Sequence, residues 1–480
     1  MSVRGQDDSH RVVRQHGRMS ARRSLALALV GTAVLTLAPG DPAAGVTTSR
    51  LGQRYEITAT LDVAAARLDA VLELTLTNES AFSIDHVNLG AVSRALGFLT
   101  LSEAVTVNGS EAATEWTTGI NLRVPVSMAP DAEALIRVPF RLDVGRPPDA
   151  FTARLSRENG VLSFGQWFPI VGPEHDVYGL GDPQISYSAE AVRLELTTTT
   201  DLPRDAVACP GLEEAPSASG RTWTCESVDV RDFSFVVNPR FRLTTRSVED
   251  HEIRVYTETV SGAATADLAA EGLIGMEETF GDYPWPDLVL AEVGSGGGFS
   301  MEYPRMIHLT RDKVADPYVV YHEVAHQWFY GQLGNHQQRE PWLDEAFADF
   351  SARYLMGIGE NACSTRPVDS AVFAWEAAAT SGGDWTSCDG YFHAVFYQGT
   401  EFITAVRTAM GDGTFFDAMR DWVARHQHGL VRGRALLRHW MRATDADLEP
   451  IYDRYLAGPA VQAPFRLVAR TGPPNGPSPE

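Results

Sequence analysis

The stretch "VVYHEVAHQWFYGQLGN", Val319 to Asn335, decides how the second half of the chain is read. It contains His322-Glu323-Val324-Ala325-His326, the pattern H-E-x-x-H. On a helix, residues four apart lie on one face, so His322 and His326 can turn their imidazoles toward one ion. Two histidines do not complete a site, because a catalytic zinc takes three protein ligands and keeps one position open. Five residues also recur by chance. Without a third ligand elsewhere, two satisfied core histidines would be the better reading.

"REPWLDEAFADF" (Arg339 to Phe350) supplies that ligand: Glu345 follows His326 after eighteen intervening residues. The connecting "GQLGNHQQREP" is polar and marked by Gly and Pro, as a turn between two antiparallel helices should be. Trp342, Leu343, Phe347 and Phe350 would bury the second helix against the first. Glu323, beside the first ligand, is placed to take a proton from a water that zinc has made acidic and to return it to a leaving amine. An amide also needs a donor to its developing oxyanion. Tyr397 in "FYQGTEF" is the candidate, with Tyr391 its nearest rival.

Other features near the site read as scaffold. His308, His336 and His393 are expected on the surface or in packing, since three ligands are already in hand. Trp328, Phe329 and Trp342 are expected in the core. Gly294 to Gly298 lacks the Lys-Ser/Thr of a phosphate loop and more naturally lets backbone pass close to a substrate.

The first half of the chain has a different period. In "VLELTLTNES", Leu72, Leu74 and Leu76 alternate with Glu73, Thr75 and Thr77, and "VRLELTTTT" repeats this with Val192, Leu194 and Leu196. From about Tyr55 to Arg242 the expectation is an antiparallel sandwich or saddle. Asn78-Glu79-Ser80 and Asn108-Gly109-Ser110 fit the glycosylation pattern, which is common by chance. After Ser247 a strand "EIRVYTE", a helix "ATADLAAEGLIGMEETFG" and a strand "DLVLAEV" follow, then "FSMEY" and a mainly helical run from Asp316. No repeat of fixed period is present.

A chain of 480 residues needs two or three cores. Its 44% hydrophobic and 21% charged residues describe an ordinary globular protein, and a net charge of −22 argues against a nucleic-acid partner. Arg14, Arg18, Arg22 and Arg23 precede the apolar run Leu25 to Ala38, and small residues follow. This is the order of an export signal, with Met19 an alternative start and a retained anchor the competing reading. Four cysteines fit an exported protein: Cys209 lies near Cys225 and Cys363 near Cys388, although three pairings are open. The tail "TGPPNGPSPE" cannot build a core.

"HEVAHQWF", eighteen residues and then the glutamate of "WLDEAFA" resemble the zinc aminopeptidases related to aminopeptidase N and leukotriene A hydrolase, with H-E-x-x-H-x18-E. "GGGFSMEYP" resembles their G-x-M-E-N strand, and the resemblance implies that Glu302 binds a substrate's free α-amine. "YQGTEFI" resembles their Y-x-K-G-A segment, which implies an oxyanion role for Tyr397. There are departures: Tyr303 stands for asparagine, Gln398 for lysine, and Asp344-Glu345-Ala346 for Asn-Glu-Gly. Many members continue into a large helical domain after the catalytic helices, whereas only the tail remains here, so a more open cleft is expected.

The resulting expectation is an α+β multidomain protein. Residues 1–45 are a signal peptide or N-terminal anchor, 46–247 a β-rich, saddle-like N-terminal domain, 248–462 a thermolysin-like, mainly helical zinc peptidase domain, and 463–480 a disordered tail. One Zn2+ is held by His322, His326 and Glu345, although other divalent ions suit such ligands. Glu323 and Tyr397 carry the chemistry, and Glu302 holds the amine of a peptide substrate. Membrane attachment is expected only through an uncleaved N-terminal segment. An endopeptidase on the same scaffold and a non-catalytic zinc- or peptide-binding surface protein are the alternatives.

Overall fold

The computed structural model describes residues 51–117, 119–145, 154–172, 186, 188–216, 218–295, 300–337, 340–359 and 392–456. The proposed export segment, Cys363, Cys388, Tyr391, Gly296 to Gly298 and the tail lie outside them.

The alternating leucines of the first half form a large sheet. Five strands make its centre: β1 (Leu51–Asp62), β2 (Arg67–Asn78), β3 (Glu133–Asp143), β4 (Ala189–Pro203) and β5 (Ser219–Val230), in the order β5-β4-β1-β2-β3. Leu194, Ile57, Leu72 and Val138 stand opposite one another across four strands, all buried. This is the period-2 pattern expressed as one apolar face. Most pairs are antiparallel as expected, but β1 and β4 run parallel. Cys209 and Cys225 form a disulfide at the β5 edge. Asn78 is fully buried and its Nδ2 donates to the carbonyls of Phe82, Met128 and Ala129, so it cannot carry a sugar.

The second sheet has four strands in sequence order: β6 (Arg242–Val248), β7 (His251–Thr257), β8 (Asp287–Val293) and β9 (Met306–Thr310). Helix α1 (Ala263–Phe280) connects β7 to its parallel neighbour β8, as a βαβ unit requires. Beyond β9 the segment around Met301 is tied by a backbone pair with His308, at 2.9 and 2.8 Å. The expected "FSMEY" strand is therefore a single bridge, but it fixes Glu302 at the sheet edge.

The two ligand helices form where the sequence signals them. Asp316 caps α2 (Pro317–Ala325) by accepting from the Tyr318 and Val319 amides, with Pro317 in the first turn. Asp344 caps α3 (Glu345–Met356), which explains aspartate at that position, and Gly357 ends it at φ 63°. Phe329 stacks on Phe347 at 4.4 Å, and Trp342, Phe347 and Trp440 close the core between helices.

One expectation needs correcting. The run "PYVVYHEVAHQWFYG" was expected to be helical throughout, yet α2 ends with His326 as its cap. The Gly331, Gln332 and Leu333 amides bond five residues back, and Tyr330 has φ 130°. The buried guanidinium of Arg231 takes the carbonyls of Gly331 and Gln332, together with those of Ser186 and Gly429. A partner from the β-rich region thus holds the loop that follows the helix.

Candidate active site

His322 and His326 lie one turn apart on α2, and Glu345 opens α3. The His322 and His326 Nε2 atoms are 3.1 Å apart, and Glu345 Oε2 stands 3.3 and 3.4 Å from them. Ligands about 2.0–2.1 Å from a tetrahedral centre stand roughly 3.3 Å apart, so the three atoms fit one zinc ion. Among the described residues this is the group of histidine, cysteine and carboxylate side chains able to hold a metal.

Tautomers point the same way. His326 Nδ1 lies 3.0 Å from the Phe329 carbonyl and so carries the hydrogen, which leaves the Nε2 lone pair facing the other ligands. His322 is held differently. Its Nδ1 is buried without a hydrogen-bond partner among the described residues, and its ring stacks near-parallel with Tyr318 (centroids 6.1 Å) and Phe396 (5.8 Å).

Glu323 and Glu302 are both buried beside the imidazoles, and burial would lower His326, but Glu302, Glu345 and Glu323 together hold it well above its ordinary value. Burial holds the Glu323 carboxyl well above the carboxylate range; Glu302 adds to this and His326 opposes it. Burial raises Glu302 as well, against the pull of His326. Burial would also raise Glu345, but hydrogen bonds from His322 and His326 bring it to about 2. Two buried carboxyls and the partly buried Glu345 gathered around two imidazoles make a site that favours a cation. The residues fit zinc.

The structure thus brings together His322, His326, Glu345, Glu323 and Glu302. Tyr397 follows Phe396 on the adjoining helical run. It is half-buried, within electrostatic reach of Asp349 and Arg353, at the end of a π-helical stretch (Phe392–Tyr397) that leads into α4 (Gln398–Met410). The side chain that this stretch lays on His322 is Phe396. His308 is core: it meets Tyr303 edge-on at 4.8 Å, and burial pushes it down to about 3.

Residues not singled out from sequence also stand near the site. Arg154 donates to Gln166 Oε1 at 2.6 Å, and Arg154 and Asp232 both act electrostatically on the Glu302 neighbourhood. Gln166 has φ 49°, an uncommon conformation for a residue with a Cβ. Asp349 is fully buried one turn after Glu345. An aspartate inside the otherwise apolar "EAFADF" was the signal for it; Arg154 and Gln166 had none.

A β-rich region, a helical region and a His-His-Glu cluster together define a zinc metallopeptidase fold. Residues 276–455 match the peptidase family M1 domain. The chain is similar to Aminopeptidase 2 of Candida albicans, 22% identical over 264 residues, which is 47% of this chain and 26% of that protein. The match thus spans about a quarter of the length of that curated relative. The fold is that of an M1 zinc metallopeptidase from Deinococcus radiodurans, at TM-score 0.60 and 16% identity, covering 86% of this chain and 95% of that one. A mutant of a Deinococcus radiodurans M1 zinc metallopeptidase, bound to a Tyr-Ser-Ala substrate, matches at TM-score 0.59 and 16% identity, over 86% and 96%.

Proposed function

We propose that this protein is an exported zinc aminopeptidase that releases N-terminal residues from peptides. The observation that carries the reading is the convergence of His322, His326 and Glu345 with Glu323 buried beside them. Zinc held there would supply Lewis acidity toward water and the scissile carbonyl. Glu323 Oε2, buried without a hydrogen-bond partner among the described residues, is the base that accepts the proton of the attacking water and hands it to the leaving nitrogen. Glu302, at the sheet edge, binds the α-ammonium and sets the cleavage point one residue in. Tyr397 is assigned to the oxyanion. Export is supported by the Cys209–Cys225 disulfide, which suits an oxidising compartment.

The test is cleavage of one fluorogenic peptide series by the zinc-loaded protein, each peptide both free and N-acetylated, with Glu323→Gln as the blank. Cleavage of the free forms alone supports the aminopeptidase and the role of Glu302. Equal cleavage of both forms makes the protein an endopeptidase. Absence of cleavage above the blank favours a zinc-binding protein without catalysis. Tyr397→Phe should lower kcat about 100-fold or more if its phenol meets the oxyanion.

A further inference from the structure

A metal-binding histidine is ordinarily oriented by a hydrogen bond from its second ring nitrogen to a carbonyl or carboxylate. His326 follows that rule through Phe329, and among the described residues His322 has no such partner. What packs on the His322 ring is a pair of near-parallel aromatic rings, Tyr318 and Phe396. The question is then what holds those two rings.

Both lead to one side chain. Asp349 Oδ1 accepts the hydrogen bond of the Tyr318 hydroxyl. Its Oδ2 accepts from Thr400 Oγ1 at 2.8 Å and from Arg353 Nε at 2.8 Å. Thr400 lies four residues after Phe396 on the same helical run, so fixing one fixes the azimuth of the other. Arg353 in turn places its guanidinium 5.6 Å from the centre of the Tyr318 ring. Asp349 is fully buried and sits one turn along α3 from the ligand Glu345. A buried carboxylate with three donors is expensive to desolvate and stays in place only if those donors remain.

We propose that Asp349 is a positioning residue for the metal site, tying down both of the rings that pack on the His322 imidazole. This inference rests on the reading of His322, His326 and Glu345 as metal ligands, and it does not depend on which bond the enzyme cleaves. In place of a hydrogen bond to one ligand, the site uses a carboxylate one turn from another ligand to aim two aromatic walls. Loss of Asp349 frees Tyr318 and α4 to shift, and the His322 ring loses its orientation.

The experiment is zinc titration of the metal-free full-length protein against a competing chelator, with thermal melting of the metal-free form alongside. Asp349→Asn is expected to weaken zinc binding about 10- to 100-fold, the scale for losing an orienting partner of a ligand. Tyr318→Phe keeps the ring and removes only its tether, and it should weaken zinc by a smaller factor. The Asp349→Asn/Tyr318→Phe double variant should bind zinc no more weakly than Asp349→Asn alone. A purely structural role would lower the melting temperature of the metal-free protein and leave the zinc dissociation constant within twofold of wild type. That result, or full additivity of the two substitutions, overturns the proposal. If Asp349→Asn does not fold, Tyr318→Phe decides alone: an unchanged zinc constant sinks the idea. Zinc is the probe throughout, so a failure of the peptidase reading would leave this measurement untouched.

Discussion

Gly165, in the β-rich region, packs directly on the hydroxyl of Tyr303, the residue after Glu302, and leaves no room for a Cβ between them. The departure from asparagine at position 303 is therefore matched by a glycine more than a hundred residues earlier.

Gly165→Ala should push the Met301–Tyr303 segment off its place at the sheet edge. Overpacking of this kind costs about 1–3 kcal/mol. If Glu302 holds the α-amine, KM for free-amine peptides should rise several-fold while any turnover of acetylated peptides stays constant. Steady-state kinetics and thermal denaturation of the same variant separate the two effects.

Removal of zinc by a chelator should abolish cleavage and lower the melting temperature. Free zinc at 100 times its dissociation constant stabilises a folded protein by about 2.7 kcal/mol. His326→Ala should lose zinc at micromolar concentration. Glu323→Gln should keep it while losing about two to four orders of magnitude in kcat. Metal analysis beside kinetics checks both.

Asp287 predicts a pH dependence of stability. It is buried between Arg254 and Arg305 and also accepts the Gly211 amide at 2.9 Å. Burial raises its carboxyl, but Arg305 and Arg254 outweigh that and hold it below the ordinary value. A depressed carboxyl stabilises the fold fully above its unfolded pKa of about 3.9 and loses that contribution as pH falls through the folded value. Asp287→Asn should thus flatten the loss of stability below about pH 4. At pH 7 it should cost about 3–5 kcal/mol, because two arginines stay buried without their partner. Denaturant melts between pH 2.5 and pH 7 provide the measurement.

Cys209 and Cys225 close a loop of 16 residues. Reduction, or Cys209→Ser with Cys225→Ser, should destabilise the protein by about 3 kcal/mol through the freed unfolded chain. Equal denaturation midpoints with and without reductant would contradict this.

The metal ligands were legible because their signals are local. An i, i+4 histidine pair, a Gly/Pro-marked turn and a capped second helix survive folding nearly unchanged. The β-rich region was legible for the same reason, since Leu72, Leu74, Leu76, Val192, Leu194 and Leu196 alternate and all are buried. The roles of Arg231, Arg154 and Gln166 were not, because each acts on residues distant in sequence and none breaks the local period. The loop after α2 belongs with them, since the guanidinium that binds its carbonyls comes from 100 residues away. Phe396, which stacks on His322, carried no such signal, since only the fold places it beside the histidine helix.

Arg231 has a consequence for how this protein can be divided. Its guanidinium joins the loop after the histidine helix to Ser186 and to Gly429, so three distant parts of the chain meet at one buried cation. The stretch recognisable as a peptidase domain begins only at residue 276 and contains two of those parts without the cation. A gene fragment cut at that boundary would encode every zinc ligand and still lack the knot that shapes their loop. Expressed alone, that stretch is expected to melt lower than the whole chain, and a transplant of the site to another scaffold is expected to gain stability from carrying Arg231 along.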